Sequence, residues 1–154
     1  MHLKILCIGR IKKSYWQEAA QTYLHRLQKF YTLQVHELKD GPAHLQPAQR
    51  IQAEVSMLTA KASGQDRLIC LDQRGKSLRS RDLAVKLEDW VQTPGGYPCF
   101  ILGGAYGLGQ ELLAKSDFVL SFGPMTLPHE LARIVLLEQL YRATTIIKNH
   151  PYHH

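Results

Sequence analysis

The chain has 154 residues, 45% of them hydrophobic, with a formal charge of +6 and an isoelectric point near 9.3. That length fits a single domain over residues 1–154 with a core large enough to fold unstapled, and no eighteen-residue apolar run or charged-then-apolar leader marks a membrane span or export signal, so a cytoplasmic protein is expected. Cys7, Cys70 and Cys99 sit singly in apolar runs without C-x-x-C spacing, which reads as three buried thiols and not as a redox pair or metal site.

The basic residues are grouped. Arg10, Lys12 and Lys13 follow the first apolar run, and Arg74, Lys76, Arg79 and Arg81 follow the third. Such groups suit a polyanion such as nucleic acid and equally suit solvated loops, so charge alone leaves both open.

Residues 3–8 form a short apolar run ended by Gly9, a first strand. Ser14 with Gln17 three positions on has the reciprocal capping pattern of a helix start. Trp16, Ala20, Tyr23, Leu27 and Phe30 then recur at three- and four-residue spacing, which predicts an amphipathic helix packed on a sheet. Residues 33–38 alternate and read as a less buried strand. Residues 39–47 are rich in breakers and read as a loop, with Pro47 suited to the first turn of a helix carrying Ile51, Val55, Leu58 and Ala62 and stopped at Gly64. Residues 67–72 make a third strand ending in Asp72, which can contact a ligand hydroxyl or cap the turn. Residues 73–77 read as a loop. Ser80 is placed to cap a helix with Leu83, Leu87 and Trp90 or Val91 inward, broken by residues 93–96.

Residues 99–102 continue the alternation as a fourth strand, followed by a glycine-rich loop at 103–109 and a short helix at 110–115. A fifth strand at 117–122 and a loop at 123–126 lead to Pro128, suited to the first turn of the last helix. That helix carries Leu131, Ile134, Val135, Leu137, Leu140, Tyr141, Ile146 and Ile147, apolar on more than one face. It must be covered on more than one side. A second copy of the chain is the simplest second cover, so a homodimer is expected. Strand–helix alternation throughout predicts an α/β layer fold with a largely parallel sheet flanked by helices.

Two glycine-bearing loops, each leaving a buried strand, have the layout of a ligand pocket built from backbone. The order G-G-x-x-G-x-G is not the dinucleotide fingerprint G-x-G-x-x-G, and neither a phosphate loop with its lysine nor a G-x-S-x-G elbow occurs. His150, His153 and His154 are interrupted by Pro151 and have no cysteine or carboxylate cluster beside them, so no metal is expected.

Four motifs in this order, FILGGAYGL at 100–108, MTLPH at 125–129, EQLYRA at 138–143 and NHPYH at 149–153, resemble the ribosomal RNA large subunit methyltransferase H family of the SPOUT superfamily. The likeness runs the whole length and includes Gly9, Tyr23 and the strand end at Leu71 and Asp72. It implies an α/β domain with a C-terminal trefoil knot, S-adenosylmethionine as methyl donor, and an obligate homodimer whose pocket is shared between subunits. It further implies methylation of N3 of pseudouridine 1915, in helix 69 of 23S ribosomal RNA, within the assembled 70S ribosome. By matching positions, the donor site maps to Leu71, Gly103, Gly104 and Gly107, and to Phe122, Gly123, Pro124, Met125, Thr126 and Leu127. Tyr106 stands where many members carry a small, polar or acidic residue, and His154 where Lys or Arg is common.

The implied chemistry is alignment of a nucleophilic nitrogen behind an electrophilic methyl, with loss of the imide proton. His129, Tyr152 and His153 are the candidates for proton removal or base orientation, Tyr152 as a positioner given the high ordinary pKa of a phenol. Arg142 can neutralise an RNA phosphate or pair across a helix interface. Lys12, Lys13, Arg74, Lys76 and Arg81 would supply the landing surface for the ribosome. Two rivals remain, a non-enzymatic RNA-binding dimer and a knotted methyltransferase acting on transfer RNA.

Overall fold

The computed structural model describes residues 1–152; His153 and His154, the first of them a candidate catalytic residue, lie outside the described residues. In chain order the elements are β1 (His2–Ile8), α1 (Ser14–Leu27), β2 (Thr32–Leu38), α2 (Pro47–Lys61), β3 (Asp66–Ser77), α3 (Ser80–Gln92), β4 (Tyr97–Leu102), α4 (Gly109–Lys115), β5 (Phe118–Ser121) and α5 (His129–Ile147). All five strands join one sheet in the order β2-β1-β4-β3-β5, and every pairing is parallel.

Strand alternation sorts the core into two layers. Leu3, Ile5, Cys7, Ile69, Phe100, Leu102 and Leu120 face one side, where they meet Ala20 and Leu27 of α1, Leu83, Leu87 and Trp90 of α3, and Ile134, Leu137 and Leu140 of α5. Leu6, Ile8, Cys70, Cys99 and Ile101 face the other, against Leu58 of α2 and Leu108, Leu112 and Leu113 at α4. The three cysteines are free and buried inside these layers. β1 and β4 are buried on both faces, as befits the middle of a parallel sheet. β2, at the edge, has no fully buried residue, in keeping with its polar alternation.

Several local expectations change. Ser14 and Gln17 do not form a capping box: the residue before α1 is Lys13, no side chain caps it, and the Gln17 amide instead donates to the Ile11 carbonyl at 2.8 Å. The reciprocal box occurs at α2, between Gln46 and Gln49, with Pro47 in the first turn. Ser80 begins α3 without capping it and donates to Gln139 Oε1 of α5 at 2.8 Å. Pro128 precedes α5 as its N-cap.

Residues 73–77 are not a free loop. β3 runs on through them, with a shift of register between Leu71 and Lys76, so that both residues are opposite Leu120 of β5. The strand bulges out and returns, and the bulge holds Asp72, Gln73 and Arg74 beside the sheet's carboxyl edge.

None of residues 131–147 of α5 is exposed. The helix packs against both α1 and α3 as well as the sheet. Part of the cover expected from a second copy is therefore supplied within the chain. Among the described residues, no helix is long and apolar enough to cross a membrane, and no group of three or more His, Cys, Asp or Glu is gathered to hold a metal.

Candidate functional site

Because β4, β3 and β5 are parallel neighbours, the three segments that follow their buried stretches meet at one edge of the sheet. Together they enclose a cavity of about 890 Å³, inside the range of about 300–1,000 Å³ usual for small-molecule sites. The β3 bulge contributes Leu71, Asp72, Gln73 and Arg74; the segment after β4 contributes residues 103–107; the segment after β5 contributes Phe122, Gly123, Met125, Thr126 and Leu127; and the start of α5 contributes His129 and Ala132.

The glycine segment turns back on itself, the Gly107 amide donating to the Gly104 carbonyl at 3.1 Å. Gly103 lies where a Cβ would meet the Gly107 carbonyl carbon at 2.8 Å, so this turn closes only over a residue without a side chain. Gly107 and Gly123 have φ of +80° and +111°, and nothing lies within 4 Å of where their side chains would begin. Here the backbone faces open space on the cavity wall.

Ser121 and Gln73 hold the β5 segment to the bulge. Ser121 Oγ donates to the Gln73 carbonyl at 3.1 Å and accepts from the Gly123 amide at 3.0 Å, while Thr126 Oγ1 donates to Gln73 Oε1 at 3.4 Å. Asp72 accepts from the Arg74 amide at 2.9 Å and from its guanidinium at 2.8 and 3.1 Å. These bonds give Asp72 the turn-capping role and hold its carboxyl below the usual range, the Arg74 side chain being the main cause.

Of the ten residues mapped to the donor site, nine line this cavity: Leu71, Gly103, Gly104, Gly107, Phe122, Gly123, Met125, Thr126 and Leu127. Pro124 is in the same segment but outside the lining. His129, at the first turn of α5, lines the rim. Arg142 and Tyr152 are elsewhere. Thirteen residues of helix separate Arg142 from His129, about 20 Å. Arg142 pairs with Glu138 one turn earlier on its own helix, at 2.7 Å, and lies 5.2 Å from the Tyr152 ring centroid. Tyr152 packs edge-on against Tyr141 and donates to Glu138 Oε1 at 3.4 Å. Burial first, and its neighbours Tyr23 and Glu138 after it, raise the Tyr152 pKa, so its phenol is neutral near pH 7.

Sequence reasoning passed over a polar cluster behind the glycine turn. Glu54 of α2 is only 1% exposed; its Oε1 accepts from the Gly41 amide at 2.8 Å and from Arg50 Nε at 3.3 Å, while its Oε2 has no partner among the described residues. A Cβ on Gly104 would lie 2.8 Å from that Oε2. Arg50 also reaches Asp40 at 3.6 Å and has its guanidinium carbon 5.6 Å from the ring centroid of Tyr106, which lines the cavity.

The sequence profile of the family described as "Predicted SPOUT methyltransferase" matches residues 1–153. The chain belongs to this SPOUT methyltransferase family. Its relatives include the ribosomal RNA large subunit methyltransferase H of Nitratidesulfovibrio vulgaris (strain DSM 19637 / Miyazaki F), 43% identical over 99% of this chain and 98% of that protein. The protein of the same name from Maridesulfovibrio salexigens is 40% identical, over 99% and 97% of the two chains. Among solved structures, a probable methylase family protein from Haemophilus influenzae Rd KW20 superposes with a TM-score of 0.58 at 17% identity, over 99% of this chain and 70% of that one. A probable methyltransferase from Bordetella pertussis Tohama I gives 0.58 at 13% identity, over 92% and 93%. At such identities these two show a shared fold alone. The methyl donor of SPOUT methyltransferases is S-adenosylmethionine. The cavity fits it in size, in the bare backbone at Gly107 and Gly123, and in the apolar surfaces of Leu71, Phe122 and Leu127 beside that backbone.

Proposed function

We propose that the protein is an S-adenosylmethionine-dependent methyltransferase of large-subunit ribosomal RNA, acting on N3 of pseudouridine 1915 in helix 69 of the 23S RNA. It would work on the assembled 70S ribosome in the cytoplasm, as a homodimer of single-domain chains whose C-terminal segments are threaded as trefoil knots. The observation that carries this reading is the backbone-built cavity at the ends of β3, β4 and β5, in a chain 43% identical over nearly its whole length to a protein named for that RNA.

When bound, the donor supplies an electrophilic sulfonium methyl. The chain's residues would then bind, align and deprotonate. Backbone groups of Gly103, Gly104, Gly107, Gly123 and Thr126 recognise the polar edge of the adenine, and Leu71, Phe122, Met125 and Leu127 pack on its faces. Pro124 stiffens the turn after Gly123. His129, at the rim, takes the imide proton as the nitrogen attacks. Met125 is 79% exposed in the protomer, which leaves its flexible side chain free to close over a ligand.

Arg142 and Tyr152 cannot reach the cavity of their own chain across about 20 Å of rigid helix. A partner subunit would bring them to it, Tyr152 orienting the base as a neutral phenol and Arg142 meeting a backbone phosphate. His153, next in the sequence, is the further candidate for proton removal or base orientation. The basic residues Lys12, Lys13, Lys76 and Arg81 spread the positive field in which the ribosome would dock, with Arg74 beside them already paired to Asp72.

The test is transfer of a labelled methyl group to 70S ribosomes, free 23S RNA and transfer RNA side by side. Transfer to ribosomes alone, restored when an inactive Gly104→Glu chain is mixed with an inactive Tyr152→Ala chain, is expected. Methylation of transfer RNA would redirect the reading, and absence of donor binding at millimolar concentration would leave an RNA-binding dimer in its place.

A further inference from the structure

Gly9 closes β1 with a φ of +84°, and its peptide is clamped on both sides. Its amide donates to the Leu38 carbonyl of β2 at 2.8 Å, and its carbonyl accepts from Arg133 of α5 at 2.8 Å. The point where a Cβ would stand on Gly9 lies 3.5 Å from His129 Nε2 and 3.5 Å from Asp40 Oδ1. The imidazole at the cavity rim and the carboxylate just beyond β2 thus flank one small gap, kept open by the absence of a side chain.

Asp40 is itself held. Arg50 lies 3.6 Å from its Oδ1, and the buried Glu54 fixes both Arg50 and the Gly41 amide that follows Asp40. The chain of charges Glu54, Arg50 and Asp40 therefore runs from beneath the glycine turn to the gap beside Gly9 that His129 also flanks. Resting on the methyltransferase reading above, we infer that Asp40 is a positioning residue for His129: it orients the imidazole and favours the imidazolium formed when the N3 proton arrives. An imidazole accepts a proton on one nitrogen more readily when a carboxylate faces it.

The charged groups facing His129 come from several elements. Asp40, backed by Arg50, approaches from the segment after β2. Lys12 and Lys13 lie after β1, the Lys12 amide donating to Glu130 at 3.0 Å. Glu130 and Arg133 share α5 with His129, and Asp72 and Arg74 neutralise each other across the cavity. Of these carboxylates among the described residues, Glu130 accepts from the Lys12 amide at 3.0 Å, Asp72 from Arg74 at 2.8 Å, and Glu37 of β2 is paired with the buried Arg133; Asp40, 46% exposed at its side chain, meets Arg50 at only 3.6 Å, a looser hold.

The experiment compares Asp40→Asn, Asp40→Glu and Glu130→Gln with the unaltered protein, reading the titration of the His129 ring by NMR, donor affinity by calorimetry and the pH profile of methyl transfer. Loss of the Asp40 charge should lower the His129 midpoint by about half a unit or more. The acid limb of the rate profile should move the same way and kcat fall about tenfold, with donor affinity unchanged and Asp40→Glu recovering part of the rate. A His129 midpoint that moves no further in Asp40→Asn than in Glu130→Gln, or a rate that falls with no change of pH profile, would overturn the inference. If the unaltered protein transfers no methyl group, the methyltransferase reading fails, while the ring titration still decides whether Asp40 faces His129.

Discussion

At the scale of single residues, the cavity depends on what is missing from its wall. A methyl group on Gly103 would collide with the backbone of Gly107, at 2.8 Å from its carbonyl carbon and 2.9 Å from its oxygen. Backbone cannot rotate aside as a long side chain can, so the turn from Gly104 to Gly107 must open. Gly103→Ala is expected to weaken donor binding by about tenfold or more, an effect of at least ~1.4 kcal/mol, while circular dichroism shows the same helix and strand content. Calorimetric affinity equal to that of the unaltered chain would contradict it. These glycines were legible from sequence because the motif places them directly after an apolar strand. Asp40, Arg50 and Glu54 were not read, though one signal was present. Glu54 falls three residues after Ile51 and four before Leu58, on the inward stripe of α2, where a carboxylate needs a partner. What no pattern could reveal is that one partner, the Gly41 amide, comes from the segment before the helix and that the glycine turn lies on top.

At the scale of elements, Arg133 fastens the start of α5 to the ends of two strands. Its side chain is 4% exposed, pairs with Glu37 of β2 and donates to the carbonyl of Gly9, just after β1, while its Nε has no partner among the described residues. Removing the guanidinium leaves a carbonyl and a carboxylate without their donor in a largely dry site. Buried pairs broken on one side typically cost about 3–5 kcal/mol; Glu37 is 35% exposed and regains some water, so the lower end applies. Arg133→Met, which keeps the volume, should therefore lower unfolding stability by about 3 kcal/mol or somewhat less in urea titrations. It should also loosen His129, one turn earlier. An unchanged urea midpoint would show that the arginine is not a tie. The periodicity of α5 was plain in the sequence, and so was its need for cover on several sides. Its placement between α1 and α3 was not, because the apolar faces of three helices carry no label saying which meets which. Residues 73–77 read as a loop for a similar reason: their composition is polar and glycine-containing, and only the distant Leu120 and Ser121 make a strand of them.

At the scale of the whole molecule, burial on both faces of the sheet shows itself in how the protein answers to alkali. Burial pushes the thiols of Cys7 and Cys99 up to about 12 and that of Cys70 to about 11, from an ordinary 9.0, and raises the phenol of Tyr31 as well. Above about pH 9 the unfolded chain releases these protons and the folded chain keeps them. Stability from this source is thus complete below pH 9 and is lost progressively as the pH climbs towards 12. Melting temperature should be level from pH 7 to 9 and fall beyond it, with the native thiols unreactive to an alkylating agent at pH 8; rapid labelling there would contradict the burial. The α/β class and the five strands were legible in the alternation of patterns. The sheet order was not, since nothing in the sequence of β4 tells that it inserts between β1 and β3.

That insertion has a consequence for how the chain is made. β1 precedes the other elements in chain order, yet one of its two neighbours is β4, and the helix α5 that seals its face follows them all. Contacts of such wide sequence separation form slowly and only once both partners exist. The emerging polypeptide must therefore keep the apolar face of β1 from sticking to other nascent chains until β4 and α5 have left the exit tunnel. Until then an unpaired edge of β1 stays open, and open strand edges are where incompletely folded chains aggregate.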